Sequence, residues 1–171
     1  MLSNVGAVHR TRDAVAVTAV MRRRLRDQPV LRLRELWNPQ DPDSGAGQAL
    51  ARVFAEATRQ GLTIAGTAYI RMAPETADGQ IPGEAALPVD RPGTDAGEIE
   101  AVTVPGTPAI STLYRDTIHL EAGSAVVRLL QDYADAKGLT LDGEPRWIYH
   151  TDPGWNLEPD DQLIEVLWPY H

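Results

Sequence analysis

The residues best placed for chemistry are three rings and a carboxylate that strand periodicity would carry to one side of a sheet. Trp147-Ile148-Tyr149 and Tyr69-Ile70-Arg71 both alternate with the two-residue period of a strand. With Ile148 and Ile70 assigned to the core, Trp147, Tyr149, Tyr69 and Arg71 fall on the opposite side. Ile164 and Val166 directed inward send Glu165 and Leu167 there as well, and Glu84, followed by Ala85 and Ala86, is the counterpart of Glu165. Ring faces offer flat surface and negative potential to planar or cationic molecules, and a carboxylate selects positive charge. Each cation–π contact contributes about 0.5–2 kcal/mol. The candidate ligand-binding residues are therefore Tyr69, Trp147, Tyr149 and Glu165, with Trp37 from a long loop. A single aromatic on a strand is ordinary sheet composition; three at corresponding places point to a site for lipophilic, aromatic, cationic small molecules.

Other constellations are weaker. His9, His119, His150 and His171 have no metal-ligand spacing, and with no cysteine there is neither a thiolate site nor a cysteine nucleophile. No Gly-x-Ser-x-Gly elbow and no Gly-x-Gly-x-x-Gly or Gly-Lys-Ser/Thr loop is present. No metal, cofactor or committed catalytic residue is expected. Were the protein an enzyme, Glu165 would be the base and Tyr69 or Tyr149 would polarise the leaving group in a ring-opening hydrolysis.

The elements that must hold these residues come in two sets. Gly61-Leu62-Thr63-Ile64-Ala65-Gly66 recurs 77 residues later as Gly138-Leu139-Thr140-Leu141-Asp142-Gly143. Upstream of each lies an amphipathic segment, with Leu50, Val53, Phe54 and Ala57 in the first and Val126, Leu129, Leu130 and Tyr133 in the second. Each ends at a glycine suited to the left-handed position after a helix. Strand candidates joined by tight turns precede the helices, at residues 4–10 and 14–21 and at residues 97–104 and 108–115, and a hairpin follows each. Residues 27–46 read as a long strand-to-helix connection. The expected fold is α+β: tandem duplicated strand–strand–helix–strand–strand lobes, residues 1–90 and 97–171 of one domain, with mostly antiparallel sheets. Two helices would cover one face and leave a ligand groove between the halves on the other.

Composition bounds the partners. The 171 residues are 43% hydrophobic and carry a net charge of −8, which suits a globular protein and argues against general nucleic-acid binding. Residues 10–34 are the exception, with eight arginines against Asp13 and Asp27 for a local charge of +6; they read as a strand end and solvated loop, or as a contact with an anion or a protein partner. No apolar run is long enough for a membrane span or signal peptide, so a cytoplasmic location is expected.

The second half, residues 98–169, resembles the GyrI-like small-molecule-binding domains, also known as the effector-binding domains of AraC-type and MerR-type regulators. The resemblance lies in the Val-Pro-Gly-Thr-Pro-Ala entry at residues 104–109 and the helix closed by Lys137-Gly138. It extends through Pro145-Arg146-Trp147-Ile148-Tyr149-His150-Thr151-Asp152-Pro153 and the ending Ile164-Glu165-Val166-Leu167-Trp168-Pro169. It implies a duplicated unit whose groove takes lipophilic, often cationic compounds. The chain starts directly in the first lobe, which fits a stand-alone member without a DNA-reading domain. Such members are associated with sequestering toxic compounds, with antibiotic resistance, with protecting DNA gyrase, and in one branch with hydrolysing cyclopropane-bearing antibiotics. One position departs from the pattern: Trp147 stands where many relatives carry a ligand-contacting or catalytic glutamate.

Overall fold

The computed structural model describes residues 18–115, 120–151 and 162–171. The elements are β1 (Met21–Arg24), β2 (Gln28–Trp37), α1 (Pro42–Arg59), β3 (Tyr69–Met72), β4 (Ile81–Pro88), β5 (Ile99–Val104), β6 (Pro108–Arg115), α2 (Leu120–Lys137), β7 (Arg146–Tyr149) and β8 (Leu163–Pro169). All eight strands join one antiparallel sheet in the order β1-β6-β8-β7-β3-β4-β2-β5, so the fold is α+β with a single sheet. No helix of the described residues is long and apolar enough to cross a membrane.

Local chemistry explains the helices. Asp41 caps α1, its side chain accepting from the Ser44 N–H at 3.2 Å, and Pro42 occupies the first turn, where its missing N–H costs nothing. Gly61 and Gly138 follow the two helices with φ of 64° each, as expected from the sequence. Ala46, Ala49, Leu50, Val53 and Ala57 of α1 are buried, as are Val126, Leu130 and Ala134 of α2. Phe54 and Leu129, expected on those inner faces, are instead 38% and 37% exposed.

Cross-strand partners share a face of the sheet. The chain of partners Leu33, Ala85, Ile70, Trp147 and Val166 therefore defines one face, and these residues form a single core with the buried side chains of both helices. The opposite face carries no helix. Val30, Tyr69, Ala86, Ala109 and Leu167 lie on it, outside that core cluster, and are nonetheless buried.

Connectivity explains this. Three residues join β1 to β2, and three join β5 to β6, yet the members of each pair sit near opposite ends of the strand order. The sheet must bend until its two ends meet, and it closes on its helix-free side. There the turns dock, Leu25 N–H donating to the Thr107 carbonyl at 2.9 Å and Gly106 N–H to Asp27 Oδ1 at 2.7 Å. A Cβ on Gly106 would lie 2.6 Å from the Leu25 carbonyl oxygen, so only glycine fits.

Several expectations are corrected here. Residues 28–37, read as part of a long connection, form β2, and the loop assigned to Trp37 is the end of that strand. Of the strand expected over residues 14–21, residues 14–17 lie outside the described residues, as do residues 4–10; residues 18–20 are not strand and β1 begins at Met21. The tight turn at residues 105–107 does not close a hairpin, and the one expected about Asp13 lies outside the described residues: β5 pairs with β2 and β1 with β6, an exchange that joins the two expected sheets into one.

Candidate functional site

The register divides the five candidate residues between the two faces. Trp147 lies opposite Ile70 and Val166, and Tyr149 opposite Ile164, so both rings are on the helix-covered face. Tyr69 and Glu165, each opposite Ile148, are on the helix-free face. A helix-free cleft lined by Trp147 and Tyr149 therefore does not form, because Ile148 is not the core residue of β7. Arg146, Ile148 and His150 make up its more polar side. Counting the two flanking polar residues, rather than starting from the isoleucine, would have directed the rings inward.

On the covered side, α1 packs on β2 and β4 and α2 on β6 and β8, leaving the central strands β3 and β7 between them. Trp147, 6% exposed, stands there edge-to-face with Tyr114, ring centroids 6.4 Å apart and planes at 84°. Gly123 of α2 lies over its six-membered ring, where a Cβ would come within 3.1 Å. Tyr149, partly buried beside them, has its phenol pushed far up by burial, with the Asp43 charge at the start of α1 and Tyr114 adding to the shift. The phenol is therefore uncharged at neutral pH. Trp37 shares this face but is wedged at one end, its ring against Gly45 and Gly83 and its Nε1 donating to Glu35 at 3.2 Å.

The helix-free face is built of arginines and carboxylates. Glu84, 9% exposed, accepts from Arg34 Nε at 2.9 Å and has Arg32 at 3.9 Å and Arg71 at 4.0 Å. Arg32 also binds Glu100 at 2.7 Å. The Arg146 guanidinium lies over the Tyr69 ring, 5.1 Å from its centroid. Burial raises the Tyr69 phenol against the opposing pull of Arg146. Glu165, 4% exposed, is held by Arg23 and by His150 Nε2 at 2.8 Å. Burial pushes its carboxyl up, but the His150 hydrogen bond and the Arg23 charge outweigh it and leave the group below the usual carboxylate range. Among the described residues no three potential metal ligands cluster.

No protein-family model and no curated protein matches the sequence. Solved structures do. The C-terminal domain of EcmrR superposes with a TM-score of 0.67 at 16% identity, covering 90% of this chain and 97% of its own. EcmrR in its complex with DNA matches with a TM-score of 0.73 at 16% identity over 90% of this chain, which spans only 57% of that protein. The fold is GyrI-like. A hydrolase from Listeria innocua shares it, with a TM-score of 0.58 at 12% identity over 89% of this chain and 91% of its own. So does SAV2435 bound to tetraphenylphosphonium, with a TM-score of 0.56 at 11% identity over 90% and 94%. In this GyrI-like frame the residues missed by sequence reasoning are Tyr114, Asp43 and Arg146. Tyr114 was legible as the third member of the alternating set Ile110, Thr112, Tyr114; Asp43 had no local signal.

Proposed function

We propose that this protein binds lipophilic, aromatic, cationic small molecules without covalent chemistry, in the space between the two helices above β3 and β7. The observation that carries this reading is the Trp147–Tyr114 edge-to-face pair beneath α2, with Tyr149 beside it and the Asp43 charge within electrostatic reach. Displacement of α2 would uncover these ring faces for a cation to stack on, and the acid favours positive charge. SAV2435, which has this fold and is bound to a lipophilic cation, supports the ligand class. Tyr69 is left out because Arg146 already occupies its ring face, and Glu165 because Arg23 pairs with it and His150 hydrogen-bonds it. The lowered pKa makes Glu165 a weak base, so binding is favoured over ring-opening hydrolysis. The near-mirror order β5-β2-β4-β3 and β1-β6-β8-β7 supports a duplicated unit, with residues 1–90 and 97–171 as its copies.

Fluorescence anisotropy of a rhodamine dye titrated with the protein tests this. Trp147→Ala should weaken binding about tenfold, equivalent to about 1.4 kcal/mol, while Phe54→Ser on the outer side of α1 leaves it unchanged. Saturable binding that both variants retain would remove the site assignment, and no binding at high micromolar protein would remove the function.

A further inference from the structure

The two edges of the sheet are finished differently. β5, the strand at one end, is closed off by its own chain: Asp95 Oδ1 accepts from the Ala101 N–H at 2.8 Å, and Ala96 and Ile99 exchange backbone hydrogen bonds at 2.9 and 3.0 Å. β1, the strand at the other end, has no such closure among the described residues. The Leu25 N–H donates to the Thr107 carbonyl and the Tyr170 N–H to the Pro108 carbonyl. The odd-numbered residues of β1 therefore address β6, and the backbone N–H and C=O groups of Arg22 and Arg24 turn to the open side. All four residues of β1 are exposed. The side chains of Arg22 and Arg24 share one face of the strand, and with the exposed Arg26 they make no ion pair or hydrogen bond to any other described residue. Arg23, on the opposite face, is already committed to Glu165. In a chain whose net charge is −8, three cations thus stand along one open edge without a counter-charge among the described residues.

We infer that β1 is a docking edge for an extended acidic segment of another protein, added beside it as a further strand, with glutamates or aspartates at alternate positions against Arg22 and Arg24. The incoming strand exchanges backbone hydrogen bonds with Arg22 and Arg24, and its own two-residue alternation brings every second side chain to the arginine side. The intervening side chains fall on the side of Met21, which is 44% exposed and offers them apolar contact. A second copy of this chain is a poor occupant, because pairing two β1 edges sets arginines beside arginines. A nucleic acid is disfavoured as well: its phosphates offer no strand to the open N–H and C=O groups, and the net negative charge of the chain repels it. Charged side chains on an edge strand deter indiscriminate pairing, so the same arginines select an acidic partner by rejecting the others. The inference does not rest on the small-molecule reading.

Titration of the ¹⁵N-labelled protein with a short peptide of alternating valine and glutamate tests this. The Arg22 and Arg24 amide resonances should shift saturably, and their exchange with solvent should slow as each N–H gains an acceptor. The double variant Arg22→Gln, Arg24→Gln should bind about tenfold more weakly, with thermal unfolding checking that it is folded. Should it fail to fold, a peptide with lysine in place of glutamate makes the same comparison on the intact protein and should bind at least about tenfold more weakly. The glutamate peptide N-methylated along the side that faces β1 should not bind, since it can no longer donate. Absence of saturation at millimolar peptide overturns the docking edge, as does undiminished affinity in the folded double variant or for the lysine peptide. Equal affinity for the N-methylated peptide overturns the addition of a strand, and a short DNA duplex that binds more tightly than the peptide overturns the choice of partner.

Discussion

Glu165 is the residue whose surroundings most constrain its behaviour. It is almost fully buried on a face without helices and is held there as an anion by His150 and Arg23, with Ser111 adding to the effect. Its folded pKa therefore lies below the ordinary carboxylate value of 4.5. A group depressed in this way contributes stability that is complete above its unfolded pKa and is lost as pH falls through the folded one. Urea unfolding of the wild type and Glu165→Gln across a pH series should show the wild type more stable at neutral pH. The gap should narrow as pH drops below about 4.5, since the variant has no carboxylate to protonate. A gap that stays constant down to the acid end would mean that the carboxylate is not held as an anion by these partners. Trp147 teaches a second lesson at this scale. Parity on a four-residue strand has one bit of information, and choosing Ile148 as the inward residue reversed every assignment on β7.

At the scale of elements, Trp37 is the wedge that sets the spacing between α1 and the sheet. It ends β2 with its ring packed between Gly45 of α1 and Gly83 of β4, and a Cβ on Gly45 would come within 2.8 Å of the indole. A Cβ on Gly83 would overlap the ring outright. Gly83→Ala forces Trp37 out of place, and the overpacking should cost about 1–3 kcal/mol, read as a lower urea midpoint. An unchanged midpoint would show that the ring repacks freely. The helices and β3 to β8 were legible because amphipathic periodicity, helix-ending glycines and strand alternation are all local signals. β2 was equally periodic, with Leu31 and Leu33 alternating against Arg32 and Arg34, but Pro29 and the Trp37-Asn38-Pro39 sequence disguised it as a loop. Its register against β4 and β5 could not be read locally. The same holds for the candidate site: its rings and acids were identified from residue type, whereas their division between two faces follows from strand pairing that no short segment specifies.

For the whole molecule, the exchange of edge strands makes the two halves depend on each other. β5, which starts the second half, pairs with β2 of the first along Gln28 to Leu33, and β1 of the first half pairs with β6 of the second. At the centre only Tyr69 with Ile148 and Ile70 with Trp147 pair across the β3–β7 junction. The exchanged strands and the docked turns at Asp27 and Gly106 thus carry much of the bond between halves. Cutting the chain at residue 96 strips the outer edge of β2 bare and takes β1 from β6. Unpaired edges of that kind invite misassociation, and units of roughly eighty residues bury too little apolar surface to compensate. Neither half alone should show a cooperative thermal transition, whereas mixing the two should restore one, followed by circular dichroism. A half that melts cooperatively by itself, at the midpoint of the intact chain, would show that the exchange is dispensable and that each half is an independent folding unit.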